Sequence, residues 1–268
     1  MAEVFQFFSV QISLLAIVLI LHTYIGLHII RRQLIFSDLV LDQLAAFGAL
    51  VGIGIGIKYG TVNSYLISLI AVLFGSFLLT MVTSKRDIIP REAIIGIMYV
   101  LSLVGSLLLG DKLAGGGTYL TKTLSGSMLW VNWPLVIITL SVYIIFLIFH
   151  YKFRAKFVCL TENSRDLEKA KMWEFLFFAT QGVITVLIVP IAGVLLAYAF
   201  LMIPAAIALL FTRNWLWGVL LGWSAGFLSC VGGLSASYFF NLPYGPSLVL
   251  AMGITFIIAI IIKGIKRN

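Results

Sequence analysis

Nine stretches of this chain run apolar for about twenty residues, long enough for a helix to cross the hydrocarbon core of a bilayer. They fall at 8–30, 38–57, 62–83, 92–110, 132–150, 173–190, 192–211, 215–239 and 245–262. In lipid no water is available to the backbone, so each segment must close its own hydrogen bonds. That predicts an all-α polytopic membrane protein, a bundle of about nine transmembrane helices. The turn near Pro190 to Gly193 is the one connection that leaves eight open, with 173–211 as a single broken element and the N-terminus inside. Hydrophobic residues make up 62% of the chain and charged residues 10%, against about 25% charged in a soluble domain. No domain boundary and no internal repeat is visible, so 1–268 reads as one transmembrane domain.

Basic residues orient the bundle. With the N-terminus outside and the spans alternating, fifteen of the eighteen lysines and arginines face the cytoplasm. They are Arg31, Arg32, Lys85, Arg86, Arg91, the six from Lys152 to Lys171, Arg213, Lys263, Lys266 and Arg267. Only Lys58, Lys112 and Lys122 lie outside. Basic loops are held back in the cytoplasm, so the C-terminus is expected there. The net charge of +8 follows from this placement and is no nucleic-acid footprint. Residues 1–7 carry no Lys or Arg, so no cleaved signal peptide is expected.

Within 193–213, an apolar helix meets Pro204, then Ala205, Ala206, Ala208 and Leu209, and ends at Arg213. A proline this deep removes a backbone donor and bends or ends a helix. One reading is a transmembrane helix kinked once. The other is a short cytoplasmic coupling helix over 204–211, on which a soluble partner could push. The stretch 152–171 is the one sizeable polar block. It predicts either a solvated connector or a short exposed helix with Asp166, Glu168, Lys169 and Lys171 that docks a cytoplasmic protein.

Chemistry is sparse. No G-x-x-x-x-G-K-[ST] occurs, so no P-loop binds a nucleotide in this chain. The glycine-rich AGGGTYL lacks the lysine and reads as a flexible outer loop. Cys159 and Cys230 are too far apart in sequence to suggest a zinc pair or a disulfide framework. His28 lies in the first span, and His150 reads as interfacial. His22 lies near the middle of the first span, as a hydrogen-bonded structural residue or a ligand.

The second span holds the strongest polar signal. At 100° per residue, Asp38, Asp42, Ala45, Ala49, Gly52 and Gly56 fall within an arc of about 80°, with Gln43 beside it. Small residues let another helix approach closely. Carboxylates in a membrane helix are costly and face the interior or a water-filled route. Hard oxygen ligands suit divalent cations such as manganese, which makes Asp38 and Asp42 candidate metal ligands. The alternative is that Ser37 or Asp38 caps the helix and Asp42 stays among headgroups.

Four stretches carry a resemblance over nearly the whole chain. They are GVLLAYAFLMIPAAIALL at 193–210, GLSASYFFNLPYGPSLVL at 233–250, RRQLIFSDLVLDQLAAFGALVG at 31–52 and TLSGSMLW at 123–130. The first is similar to the element G-x-L-L-x-x-x-x-L-x-x-P-A-A-x-A of the permease subunits of ABC importers for zinc, manganese or iron chelates. The other three resemble further segments of that family. Where many members have a histidine in the second span, this chain has Gln43, and an amide is a poor transition-metal ligand beside imidazole.

The resemblance implies a transport subunit and not an enzyme, in a prokaryotic plasma (inner) membrane. It implies two permease chains as a homodimer, a cytoplasmic ABC ATPase dimer and an extracytoplasmic metal-binding protein, with no cofactor in this chain and ATP on the partner. Pro204 to Phe211 would contact the ATPase. The route would be lined by Asp38, Asp42, Gln43 and His22, and substrate would enter near 111–131 and 238–246. The competing classes are an ATPase-independent carrier, for which inverted repeats would be expected, and an intramembrane enzyme, which would need convergent His, Cys or carboxylate clusters.

Overall fold

The structure is a computed structural model that describes residues 2–82, 89–126 and 131–265. Lys85, Arg86, Lys266, Arg267 and residues 127–130 of TLSGSMLW lie outside the described residues. In chain order the helices are α1 (Ala2–Arg32), α2 (Phe36–Gly54), α3 (Val62–Met81), α4 (Arg91–Lys112), α5 (Gly116–Ser125) and α6 (Trp133–Lys152). There follow α7 (Arg154–Glu162), a 3-10 turn (Ser164–Asp166), α8 (Ala170–Ala192), α9 (Val194–Phe211), α10 (Trp215–Phe240) and α11 (Tyr244–Ile265). Among the described residues, nine of these helices are long and apolar enough to cross a membrane. Gly193, at φ +79°, ends α8 and α9 starts at the next residue. The two are therefore separate spans, which decides between eight and nine.

The helices gather into two compact units, each built from discontinuous stretches. One contains residues 1–30, 127–148 and 195–268; the other contains 31–126 and 149–194. In the second unit α2 packs on α3, α4 and α8, and α3 packs on α8. In the first, α10 packs on α11. Fewer than a quarter of the residues in the most apolar windows of α4, α6 and α11 are buried. Such apolar exposure is tolerable where the solvent is lipid.

The loop expected to be flexible contains α5. Its final turn is closed by Gly126 at φ +76°, where a side chain is strained. A Cβ on Gly126 would lie 2.3 Å from the carbonyl carbon of Ala192, at the end of α8. This gives the glycine of TLSGSMLW a packing reason.

The break expected at Pro204 is absent, because α9 runs through it to Phe211. Glycines of α10 pack closely against Pro204. A Cβ on Gly222 of α10 would lie 2.6 Å from the Pro204 carbonyl oxygen, and one on Gly226 would lie 2.8 Å from the proline ring. Neighbouring helices can hold a proline inside a span in this way. Leu27, Ala205 and Ala208 form a core fully shielded from solvent, with Leu209, Trp215 and Val219 around it.

The polar block after α6 also departs from expectation. Its helix is Arg154–Glu162, earlier than Asp166 to Lys171, and it is anchored by buried Phe157 and Leu160. Phe157 stacks on His150 at 4.3 Å and meets Trp173 edge-on at 5.7 Å. Asp166 lies in the 3-10 turn, Glu168 and Lys169 lie between helices, and Lys171 opens α8.

A substitution pair tests the close approach in the first unit. A Cβ on Gly26 would lie 2.0 Å from the Leu201 carbonyl oxygen. Gly26→Ala should therefore destabilise the protein by about 1–3 kcal/mol. Gly232 has open space at that position, so Gly232→Ala should be neutral or stabilising by about 0.5–1 kcal/mol. Thermal unfolding in detergent reads both.

Candidate functional site

The polar side chains of α2 are turned into the second unit. Asp38, Asp42 and Gln43 are each at most 2% exposed. Asp38 does not cap α2: the helix has no side-chain cap of its own. Ser37 donates instead to the Leu34 carbonyl at 2.6 Å, and Glu92 of α4 accepts from the Phe36 amide at 2.7 Å. That cross-helix carboxylate satisfies an amide that α2 could not satisfy internally. Asp38 is thereby left for α8, where the Gln181 amide nitrogen donates to its Oδ1 at 2.7 Å. One turn on, Asp42 is hydrogen-bonded to Thr185 of α8.

Ala45, Ala49 and Gly52 are buried on α2 as the stripe required. Gly56 is not on it, because α2 ends at Gly54 and Gly56 takes φ +88°. Gln43 points elsewhere: its Nε2 donates to Ser106 of α4 at 2.9 Å. His22 belongs to the first unit, where its Nδ1 lies 3.0 Å from the Val18 carbonyl and its ring stacks on Tyr143. Two carboxylates, Asp38 and Asp42, are thus brought together with two α8 side chains.

Both acids keep a buried oxygen, Oδ2, with no hydrogen-bond partner, and so does the Gln181 carbonyl. An unpaired buried carboxylate oxygen is expensive, and a cation, a proton or a further hydrogen-bond donor would each offset that cost. Among the described residues no group of three or more His, Cys, Asp or Glu side chains comes together. A cation held here would depend on oxygen donors, which suit hard divalent ions better than zinc.

Nearer the start of α8, Glu174 is clamped between two arginines. It pairs with Arg32 at the end of α1 and with Arg91 at the start of α4, the latter at 2.9 Å. Arg32 also lies over the Phe177 ring at 5.4 Å. A second pair, Arg31 with Glu162 at 3.3 Å, ties that same end of α1 to α7. Sequence reading passed over Glu174, Gln181 and Thr185. At 100° per residue they share an arc of about 40° on α8. A polar stripe on an otherwise apolar span was the available signal.

The residues expected to contact a motor are divided by burial. Pro204, Ala205 and Ala208 are inside the first unit, Ala206 and Leu209 are half-buried, and Arg213 is exposed between α9 and α10. In the second unit Arg154, Lys156, Glu162 and Arg165 are exposed.

Over residues 5–263 the chain matches the ABC 3 transport family. It belongs to that family. A manganese import system permease protein, ScaB of Streptococcus parasanguinis, is 26% identical over 247 residues, covering 90% of this chain and 84% of that protein. A protein of Chlamydia muridarum, named a probable metal transport system membrane protein, is 25% identical over 179 residues. That match spans 65% of this chain and 60% of the relative, so the chain aligns with less than two thirds of its length. Among solved structures, a chain of PsaBC from Streptococcus pneumoniae in complex with Fab superposes with a TM-score of 0.77. The identity is 21%, with 94% of this chain and 90% of that chain covered. The helical bundle therefore shares the fold of that chain.

The clamp predicts an asymmetry. Removing one partner of a buried ion pair costs about 3–5 kcal/mol, whereas an exposed pair contributes at most about 1 kcal/mol. Glu174→Ala should lower the unfolding midpoint in detergent far more than Glu162→Ala.

Proposed function

We propose that this chain is the membrane-spanning permease subunit of an ATP-driven importer for a divalent metal ion, manganese or zinc, with manganese favoured. The observation that carries the reading is the buried Asp38 and Asp42 pair, facing one way from α2 with an unpaired oxygen on each acid, in a chain of the ABC 3 family. Buried carboxylates on a membrane span are a functional-site signal by default. A divalent cation leaving its hydration shell would be compensated there by two negative charges. Zinc would favour imidazole or thiolate, and the histidine expected at Gln43 is missing. The name of the Streptococcus parasanguinis relative, a manganese import permease, agrees with an oxygen-based preference.

The remaining parts of the machine are proposed as well. Two copies assemble in a prokaryotic plasma membrane with an ATPase dimer on the cytoplasmic face, an external metal-binding protein on the other, and the C-terminus in the cytoplasm. The ATPase bears on the exposed basic face of α7 and the 3-10 turn. This piece is a rigid foot: its inner side is locked by Phe157 and Leu160, and its outer side offers Arg154, Lys156 and Arg165. At α9 only the C-terminal end, with Ala206, Leu209 and Arg213, is available to a partner; Ala205 and Ala208 are enclosed.

Two measurements test this reading on the chain co-expressed with its ATPase and binding protein. Asp42→Asn should reduce radioactive manganese uptake by about tenfold or more with the ATPase still bound; unchanged uptake would remove the carboxylate from the route. Reversing Arg154 and Lys156 to Glu should uncouple ATP hydrolysis from uptake, and Leu209→Asp should do so less. Normal coupling after the α7 reversal would place the docking surface elsewhere.

A further inference from the structure

The α8 side of the Asp38 and Asp42 pair has its own chemistry. Gln181 is 1% exposed and Thr185 2% exposed, in a helix whose neighbouring positions are apolar. The Gln181 amide nitrogen is held on Asp38 Oδ1 at 2.7 Å. Its carbonyl oxygen, on the same amide carbon, is therefore within about 5 Å of that carboxylate, by simple bond lengths added to the contact. That carbonyl has no partner, and the second oxygens of Asp38 and Asp42 have none either. The unused Gln181 acceptor, like that of Gln43, costs free energy, and the Gln181 acceptor is the one beside the two acids. Three unpartnered buried acceptors on two packed helices suit a positive charge.

We propose that Gln181, with Thr185 beside it, forms the α8 half of the cation site and sets its preference for manganese over zinc. The inference rests on the reading that this chain conducts a divalent metal, and adds to it two residues that touch the ion or fix its ligands. Asp38 and Asp42 supply charge. The Gln181 carbonyl supplies a neutral hard donor, and the Thr185 hydroxyl orients Asp42. Oxygen-only ligation of mixed charge suits manganese, which accepts carbonyl and carboxylate donors, and forgoes the nitrogen and sulfur ligands that favour zinc. The site draws on two helices, so it also reports the register of α2 against α8.

The same stripe gives the site a mechanical link. Glu174, clamped by Arg32 and Arg91, precedes Gln181 by two turns and Thr185 by three on one face. Along a rigid helix that is about 16 Å from the clamp to Thr185. Displacement of the start of α8, against which α7 packs, would move Gln181 and Thr185 relative to α2.

The test uses the full chain in detergent with manganese or zinc added alone, read by manganese electron paramagnetic resonance and competition titration. The unaltered chain should bind manganese more tightly than zinc. Gln181→Leu and Thr185→Val should each weaken manganese binding by about ten- to a hundredfold and narrow the margin over zinc, while Thr185→Ser should retain both. Gln181→His should put a nitrogen hyperfine coupling on bound manganese and shift preference toward zinc, a signature that a purely structural role would not produce. If Asp42→Asn weakens binding but Gln181→Leu, Thr185→Val and Gln181→His leave affinity, selectivity and spectrum unchanged, the α8 assignment is wrong and the α2 pathway stands. If the unaltered chain binds neither ion, both fail. Should Gln181→Leu not yield monodisperse protein, the near-isosteric Thr185→Val decides.

Discussion

A carboxylate cannot be left alone in a medium that solvates charge poorly, and most of the second unit is arranged around that fact. Glu174 is nearly enclosed at the start of an apolar span, and it is tolerated because two guanidinium groups converge on it. Satisfying it draws together the end of α1, the start of α4 and the start of α8. Glu92, one residue from Arg91, reaches the first amide of α2 and completes an N-terminus that has no cap of its own. Four helix ends are thus fixed by two acids and two bases. Ion pairs of this kind add little net stability relative to an apolar replacement, but they are strongly destabilising when half removed. Their effect here is to fix helix ends and rotations relative to one another.

The opposite arrangement holds two turns along α8. There the acids outnumber the bases, and acceptor oxygens are left without donors. The start of α8 therefore carries a fully compensated carboxylate, and its middle faces an undercompensated pair on α2. The first costs little because it is closed; the second is retained although it is costly, which is the usual mark of a position under functional demand.

The spans and the shared face of Asp38 and Asp42 were legible because each depends on a local property. An apolar run long enough to cross lipid has few alternatives, and two acids four residues apart share a helix face whatever surrounds them. What could not be read was the partner. That Asp38 would meet Gln181, and that Gln43 would turn to Ser106, depends on which helices neighbour α2. Pro204 is a related case: a proline bends or ends a helix, and the α10 glycines that pack against it lie far off in sequence. The helix of the polar block lies where Phe157 and Leu160 can be buried, ahead of the residues where acidic and basic charges alternate.

The two compact units interleave along the chain: the sequence leaves the first at residue 31, returns at 127, leaves again at 149 and returns for good at 195. Neither unit corresponds to a continuous piece of gene. A single crossover between this gene and that of a relative would exchange parts of both at once, joining half-sets of helices that had not been selected together. Change in such a protein is therefore channelled into individual side chains, and a new ion preference is more accessible through one residue on α2 or α8 than through the exchange of a module.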